Sequence, residues 1–408
     1  MNTATLSATS LSANPVPLRQ DAQVMGLVGL AHASSHFSHL LLPPLFPLFM
    51  RDFGLSFSDV GLLMTVFFVI SGVGQATSGF VVDRFGARPV LLGAIGLFML
   101  AALAASQATG YGGLLVVVVL AGLGNAPFHP CDFTILNQRV STPRLGHAFS
   151  VHGLTGSLGW ALAPVFLVGL SAVKDREFAY LCAAALYAVV LAVMVWQRDK
   201  LRTEVVVQHA DAPKGGDLAF LKLPVVWWCF AFFLLSTMTL AVVQNYSASI
   251  LKAMHGVSLE AATLTVTGYM LCSALGMLVG GFVAARSAHS DRVVAWAMGV
   301  GALIMLLCAT GVLGGWGTMA ALALTGFAVG VGGPSRDLMI RKATPKGATG
   351  RVYGTVYSGL DVGFAIAPVV FGVVMDHGWY AATLVGAACT LTLSVVAAIG
   401  VGQRTRGA

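Results

Sequence analysis

Apolar runs about as long as a bilayer is thick recur along the whole chain, and they constrain the fold before any motif is read. A helix crossing the hydrocarbon core needs about 20 mostly apolar residues. Twelve runs of this kind occur, near residues 23–50, 59–82, 89–108, 113–138, 146–171, 178–197, 223–252, 259–285, 292–313, 317–342, 350–374 and 380–402. Only 10% of the 408 residues are charged and 57% are hydrophobic. A soluble domain carries roughly 25% charge, so this chain cannot cover itself with a solvated surface. Lipid offers no partners for backbone N–H and C=O groups, which favours helices that satisfy their own. The predicted fold is all-α: a polytopic membrane protein with twelve transmembrane helices. A soluble enzyme and a disordered chain are excluded.

The breaks between runs are short, with one exception. Residues 198–222 are charged and contain Gly and Pro. They divide the chain into a bundle of six spans over 23–197 and another over 223–402, joined by a cytoplasmic linker. Residues 1–22 lack the basic start and short apolar core of a cleaved signal and are expected to be a cytoplasmic tail, as are residues 403–408. With the N-terminus inside, eighteen of the 23 Lys and Arg residues fall in inner segments. Arg51, Lys174, Arg176 and Lys252 fall in outer ones, and Arg336 lies within a span. The asymmetry predicts cytoplasmic termini. It also accounts for the net charge of +7 without nucleic acid, because the positive charge follows insertion topology. The six cysteines all sit in apolar runs with no metal-type spacing, so they read as small core residues.

The two halves echo each other. TPRLGHAFSVHGLTGSLGWALAP (142–164) is matched by TPKGATGRVYGTVYSGLDVGFAIAP (344–368), and Gly159 to Pro164 has the same spacing as Gly363 to Pro368. GFVVDRFGARPV (79–90) has a weaker partner in GFVAARSAHSDRVV (281–294). Duplicated halves meeting at a midplane site are a transporter architecture. Gly79, Asp83, Arg84, Gly86 and Arg88 resemble the loop 2–3 signature of the major facilitator superfamily, Gly-x-x-x-Asp-Arg-x-Gly-x-Arg. HASSHFSHLLLPPLFPL (32–48), GNAPFHP (124–130) and RLGHAFSVHGLTGSLGWALAP (144–164) are similar to the fosmidomycin-resistance branch of bacterial exporters. The resemblance implies two pseudo-symmetric six-helix bundles in the bacterial inner membrane, alternating access, export, and a cavity lined by spans 1, 4, 7 and 10. That branch carries an acidic residue in span 1 where this chain has His36.

Chemistry follows from the costly residues. In the loop signature, the Asp83 carboxylate can pair with arginines such as Arg84 and Arg88 and cap a neighbouring helix, and Gly86 permits the turn. A contact of this kind, formed only when the cytoplasmic side is closed, would gate the cycle. Within the spans, a charge near the bilayer centre costs about 2.5–3.5 kcal/mol, so such residues are expected to face a polar interior. Asp132 (span 4), Asp337 (span 10) and Asp361 (span 11) are the acids inside spans. A carboxylate whose exposure to water changes can take up and release a proton. Arg336 is the candidate for an anionic substrate group, or for Asp132 or Asp361 across the cavity. Neighbouring helix residues point about 100° apart, so Arg336 and Asp337 are not expected to face each other.

His32, His36 and His39 share one face of span 1, and His129 lies one turn before Asp132; His152 is in span 5. Imidazole titrates near neutrality, which suits a proton relay. No metal site is predicted: no cysteine joins the stripe, and three residues on one straight helix offer neighbours rather than a tetrahedral cage. Gly153, Gly156, Gly159 and Pro164 of span 5, with Gly359, Gly363 and Pro368 of span 11, are expected to let helices approach closely and to kink them. They loosely resemble the Gly-Pro signature of exporters. Gln244, Asn245 and Tyr246 near the outer end of span 7 are candidates for a polar contact or an outer gate.

The expectation is a monomeric, proton-coupled secondary transporter without a cofactor, exporting a small polar or anionic compound. Its alternative is an importer of an organic acid, a sugar-like solute or a metal chelate. A receptor or scaffold would have no use for buried ions. Neither a phosphate-binding Gly-Lys-Ser/Thr loop nor a His-Glu-x-x-His pair is present, so the sequence reads as neither an enzyme nor an ATP-driven pump.

Overall fold

The structure is a computed structural model; it describes residues 17–204, 221–343 and 349–405, with the side chains at 83, 146, 343, 349–351, 353 and 354 outside the description. Among the described residues there are fourteen α-helices and no strand. They are α1 (Leu18–His39), α2 (Phe46–Phe53), α3 (Phe57–Phe85), α4 (Ala87–Ser106), α5 (Tyr111–Asn125), α6 (Phe128–Arg139), α7 (Leu145–Val173), α8 (Arg176–Trp196), α9 (Pro224–His255), α10 (Leu259–Arg286), α11 (Ser290–Ala309), α12 (Gly314–Ala343), α13 (Thr349–Asp376) and α14 (Tyr380–Thr405).

Two predicted spans are composite, and the fourteen helices make twelve crossings. The first is α1 and α2, separated by a 3-10 turn at Pro43–Leu45. The fourth is α5 and α6, which meet at Ala126 and Pro127. Proline has no N–H to donate and clashes with the preceding turn, so both breaks fall where the sequence places Pro. Eleven of the crossings are long and apolar enough by themselves to span a membrane. α1 is the exception. Its His32, Ser34, Ser35, Ser38 and His39 are buried, so its polar groups face protein rather than lipid. Large apolar side chains such as Phe80, Phe282 and Trp296 remain exposed, as a lipid-facing surface requires.

Helix ends follow local chemistry. Ser56 and Asp59 form a reciprocal capping box at the start of α3. Asp175 accepts from Phe178 N at the start of α8, and Gly54 and Gly256 close α2 and α9 in the left-handed region.

The packing repeats between halves. α1 lies on α7 as α9 lies on α13; α4 lies on α8 as α11 lies on α14; α3 lies on α5 as α10 lies on α12. The bundles meet through α3 with α13 and α7 with α10, which are equivalent pairs under the same duplication. Glycine permits these approaches. A Cβ at Gly159 would strike the Ala33 carbonyl of α1, and Cβ atoms at Gly359 and Gly363 would lie 2.5 and 2.6 Å from the Phe230 and Leu234 carbonyls of α9. Gly153 is different: nothing lies within 4 Å of its Cβ position, so the packing role expected for it is not what the fold uses. Pro164 and Pro368 lie inside α7 and α13.

Both described ends of the chain, the start of α1 and the end of α14, lie at one end of the molecule, which we call proximal. From the opposite, distal end to mid-depth, bonds cross between bundles. Phe57 N and Ser58 N of α3 donate to the Asp376 carboxylate of α13 at 2.6 and 2.9 Å, and the Ser58 hydroxyl donates to it at 2.5 Å. Thr65 donates to the Ala365 carbonyl and Thr267 to the Ala161 carbonyl. Gln75 Nε2 donates to Asp361 Oδ2 at 3.4 Å.

Candidate functional site

The break between α5 and α6 turns polar side chains of span 4 toward α1 and α7. Asp132 on α6 is fully buried. Its Oδ2 lies 3.1 Å from His32 Nδ1 of α1 and 3.0 Å from His152 Nε2 of α7. With the carboxylate ionised, both nitrogens carry the hydrogen. Its Oδ1 is buried and meets no hydrogen-bond partner. No Lys or Arg occurs in residues 20–50, 89–138 or 145–173, so this negative charge sits among imidazoles on helices that carry no Lys or Arg at that depth.

The imidazoles form a column. His32 stacks on His152 with centroids 3.5 Å apart; His32 to His36 is 4.4 Å and His36 to His39 is 5.0 Å. Trp160 of α7 lies against His36, and its indole N–H donates to His39 Nδ1 at 3.3 Å. At the distal end of the column, Asn125 Oδ1 accepts from Ser35 at 2.5 Å and lies 3.0 Å from His39 Nε2, while its amide donates to Ser71 at 2.7 Å. Gly156 makes room for the column, since a Cβ there would lie 2.7 Å from His36 and 3.0 Å from His32. His32, His36 and His39 thus share one face of α1, and His32 is the member that meets Asp132.

His129 extends the cluster toward the other bundle. Its Nδ1 lies 2.8 Å from Gln75 Oε1, and the same amide holds Asp361 of α13. Phe68 and Phe364 stack across the bundles at 4.5 Å, and Phe364 also borders His39 and Trp160.

Arg336 and Asp337 sit apart from this cluster. The expectation that they face away from each other fails: Arg336 Nε donates to Asp337 Oδ1 at 2.9 Å, and the guanidinium lies over the Phe233 ring at 5.1 Å. The Cβ directions do diverge, but the long arginine side chain folds back over the helix surface. Its carboxylate partner is thus Asp337, not Asp132 or Asp361.

In the loop signature, Gly86 has φ +82°, the turn its sequence position predicts. The Asp83 side chain lies outside the described residues. Arg84 is exposed over Phe85. Arg88 lies 3.9 Å from the Asp199 carboxylate, and Ala87 N donates to Thr203, so this loop is fastened to the first residues after span 6. Of the span 7 group, Tyr246 donates to the Pro368 carbonyl, Asn245 donates to Ala241, and Gln244 Nε2 is buried without a partner.

Two contributors, Gln75 and Asn125, escaped the sequence reading, and for a third, His152, only its partner did. Gln75 and Asn125 are neutral amides, which cost less in a membrane than a charge and so stand out less. His152 was visible as a buried histidine, but its pairing with Asp132, 20 residues earlier, depends on how α7 lies against α6. The signal was present next to it, in the small Gly153 and Gly156 that flank a polar side chain within an apolar run.

Crossings in two equivalent bundles, with buried ionisable groups in the first linked through Gln75 to an acid of the second, are the build of a membrane transport protein. The profile of the Major Facilitator Superfamily matches residues 28–286 and 238–407, and the chain belongs to that family. The fosmidomycin resistance protein of Escherichia coli is 23% identical over 66% of this chain and 67% of its own length. A probable nitrate/nitrite transporter, NarK2, of Mycobacterium tuberculosis is 24% identical over 82% of this chain and 85% of its own. Among solved structures, the nucleoside transporter NupG superposes with a TM-score of 0.75 at 14% identity, covering 94% of this chain and 99% of that one. A bacterial homolog of the human lysosomal transporter Spinster, inward-facing and occupied, superposes with a TM-score of 0.71 at 15% identity, covering 94% and 96%. The protein is a multi-pass membrane transporter.

Proposed function

We propose that this transporter is proton-coupled and exports a small polar or anionic compound across the bacterial inner membrane by alternating access, working as a monomer with both termini in the cytoplasm. The observation that carries the reading is Asp132, a fully buried carboxylate held between His32 and His152. A burial of this kind is costly in lipid and is retained where ions or protons move. The column from His32 to His39 gives a proton a chain of titratable groups toward the distal side. With the termini inside, the distal bonds between the bundles support an inward-facing state. Arg336 and Asp337, partly exposed on α12, suit the first contact of a charged solute entering from the cytoplasm. Export is favoured by the likeness to the fosmidomycin resistance protein.

The test uses inside-out vesicles containing the protein, with fosmidomycin, an anionic phosphonate, as the first solute and nitrate as the second. Acidifying the lumen should drive solute inward, and Asp132→Asn should abolish that uptake with protein levels unchanged. Solute leaving the lumen under the same gradient would establish the importer instead.

A further inference from the structure

We infer that His32, Asp132 and His152 form a binding site for one divalent first-row transition-metal ion. The three ligand atoms, His32 Nδ1, Asp132 Oδ2 and His152 Nε2, all lie within 4.8 Å of one another and are buried. They come from α1, α6 and α7, so they approach from three helices. This removes the objection that a histidine stripe on one helix cannot enclose an ion. Bonds of about 2.0–2.2 Å around tetrahedral zinc separate donor atoms by roughly 3.3–3.5 Å. Oδ2 lies 3.0 and 3.1 Å from the two nitrogens, so these two separations need to open by only a few tenths of an ångström, and the nitrogens lie within 4.8 Å of each other. The two rings, stacked with planes 24° apart, must also turn so that both lone pairs meet at one point.

A second observation points the same way. Asp132 Oδ1 is buried without a partner, and so is His36 Nδ1, on the ring 4.4 Å from His32. A bound dication would satisfy Oδ1 through a bidentate carboxylate and neutralise its charge. It would also leave a further position for water or for His36. Two imidazoles and one carboxylate suit zinc, cobalt or nickel, whereas calcium and magnesium prefer oxygen donors throughout. Half-buried His129 and exposed Phe133, whose ring lies 5.2 Å from His152, form the outer edge of the site.

Metal ligands must be deprotonated, so ion and proton compete for the same atoms. The site itself stands on its geometry; this competition rests on the proton-coupling reading above.

The experiment uses the full-length chain, purified in detergent and stripped of metal, titrated with Zn2+ by calorimetry and with Co2+ by visible absorption. The expected result is one ion per chain, with protons released on binding. Loss of outer-sphere partners alone weakens metal sites about 10–100-fold, so His32→Gln and His152→Gln should each weaken binding by at least about tenfold. His289→Gln, at an exposed loop position, should bind as the unaltered chain does. Failure of the unaltered chain to bind either ion stoichiometrically overturns the site, whatever the variants do. Unchanged affinity in both site variants, with normal elution profiles, overturns it as well. Transport driven by a pH gradient in a protein that binds no metal would overturn the site alone; stoichiometric metal binding without such transport would overturn the coupling alone.

Discussion

Gln75 on α3 holds Asp361 on α13 at 3.4 Å, and the other end of the same amide accepts from His129. One neutral side chain therefore links the ionisable cluster of the first bundle to an acid of the second. When the bundles tilt apart at this depth the link must break, and the cluster loses its connection to Asp361. Gln75→Ala should lower transport at least about tenfold. Thermal stability should change by about 1 kcal/mol, the net worth of ordinary hydrogen bonds. Solute flux and melting, measured on the same preparation, check both halves of this expectation.

Asp376 caps the start of α3 from the opposite bundle. A carboxylate accepting two backbone N–H groups at a helix N-terminus is worth about 1–2 kcal/mol. The bond exists only while the distal end is closed, so Asp376→Ala should shift the population toward distal opening by roughly tenfold. Faster labelling of a cysteine introduced at Ser58, read against a cysteine-free background, reports the shift.

Two glycines one turn apart should behave oppositely. Gly156 faces His36 and His32 at less than ordinary contact distance, and Gly153 faces open space. Gly156→Ala should cost about 1–3 kcal/mol by overpacking and should impair transport. Gly153→Ala should be neutral or stabilise by up to about 1 kcal/mol, because alanine favours a helix. Thermal unfolding in detergent separates the two.

At the proximal end, Asp21 accepts from Ser141 N at 3.2 Å, from the Ser141 hydroxyl, and from Arg144 at 2.7 Å. Burial alone would raise its proton affinity; the bonds from Ser141 and the Arg144 guanidinium outweigh burial and hold the carboxyl below the ordinary carboxylate value. A depressed value means the stabilisation is fully present above the unfolded pKa of 3.8 and is lost as pH falls through the folded one. Asp21→Asn should therefore cost about 2 kcal/mol at neutral pH. The difference from the unaltered chain should shrink only in strong acid, as melting across a pH series will show.

Much of the architecture was legible because lipid admits few solutions: each crossing must be apolar, long and helical. The twelve crossings followed from that constraint, and the duplication was written in the echo of residues 142–164 in 344–368. α1 was legible as a run through residue 50, although its own helix ends at His39 and its polar residues disqualify it when taken singly. The shared face of His32, His36 and His39 followed from helical period. What the period could not supply was contact between helices. His152 meets Asp132 through the lie of α7, and Gln75 meets Asp361 across 286 residues. Arg336 shows the opposite limit. Its helical direction was right, but four flexible bonds carried its charge back to Asp337.

The duplicated copies have not kept the same chemistry. At the spacing that aligns Gly159 with Gly363, His152 falls on Val356 and Gly156 on Leu360. On the proposed reading the first copy carries the proton-coupling groups, and the second is a lever that contributes Asp361, Arg336 and the distal clasp. Such specialisation frees the lever to diversify its cargo-facing wall without disturbing the engine. Chimaeras that exchange residues 223–402 for those of a relative should accordingly inherit a new cargo while retaining the parent's energetics.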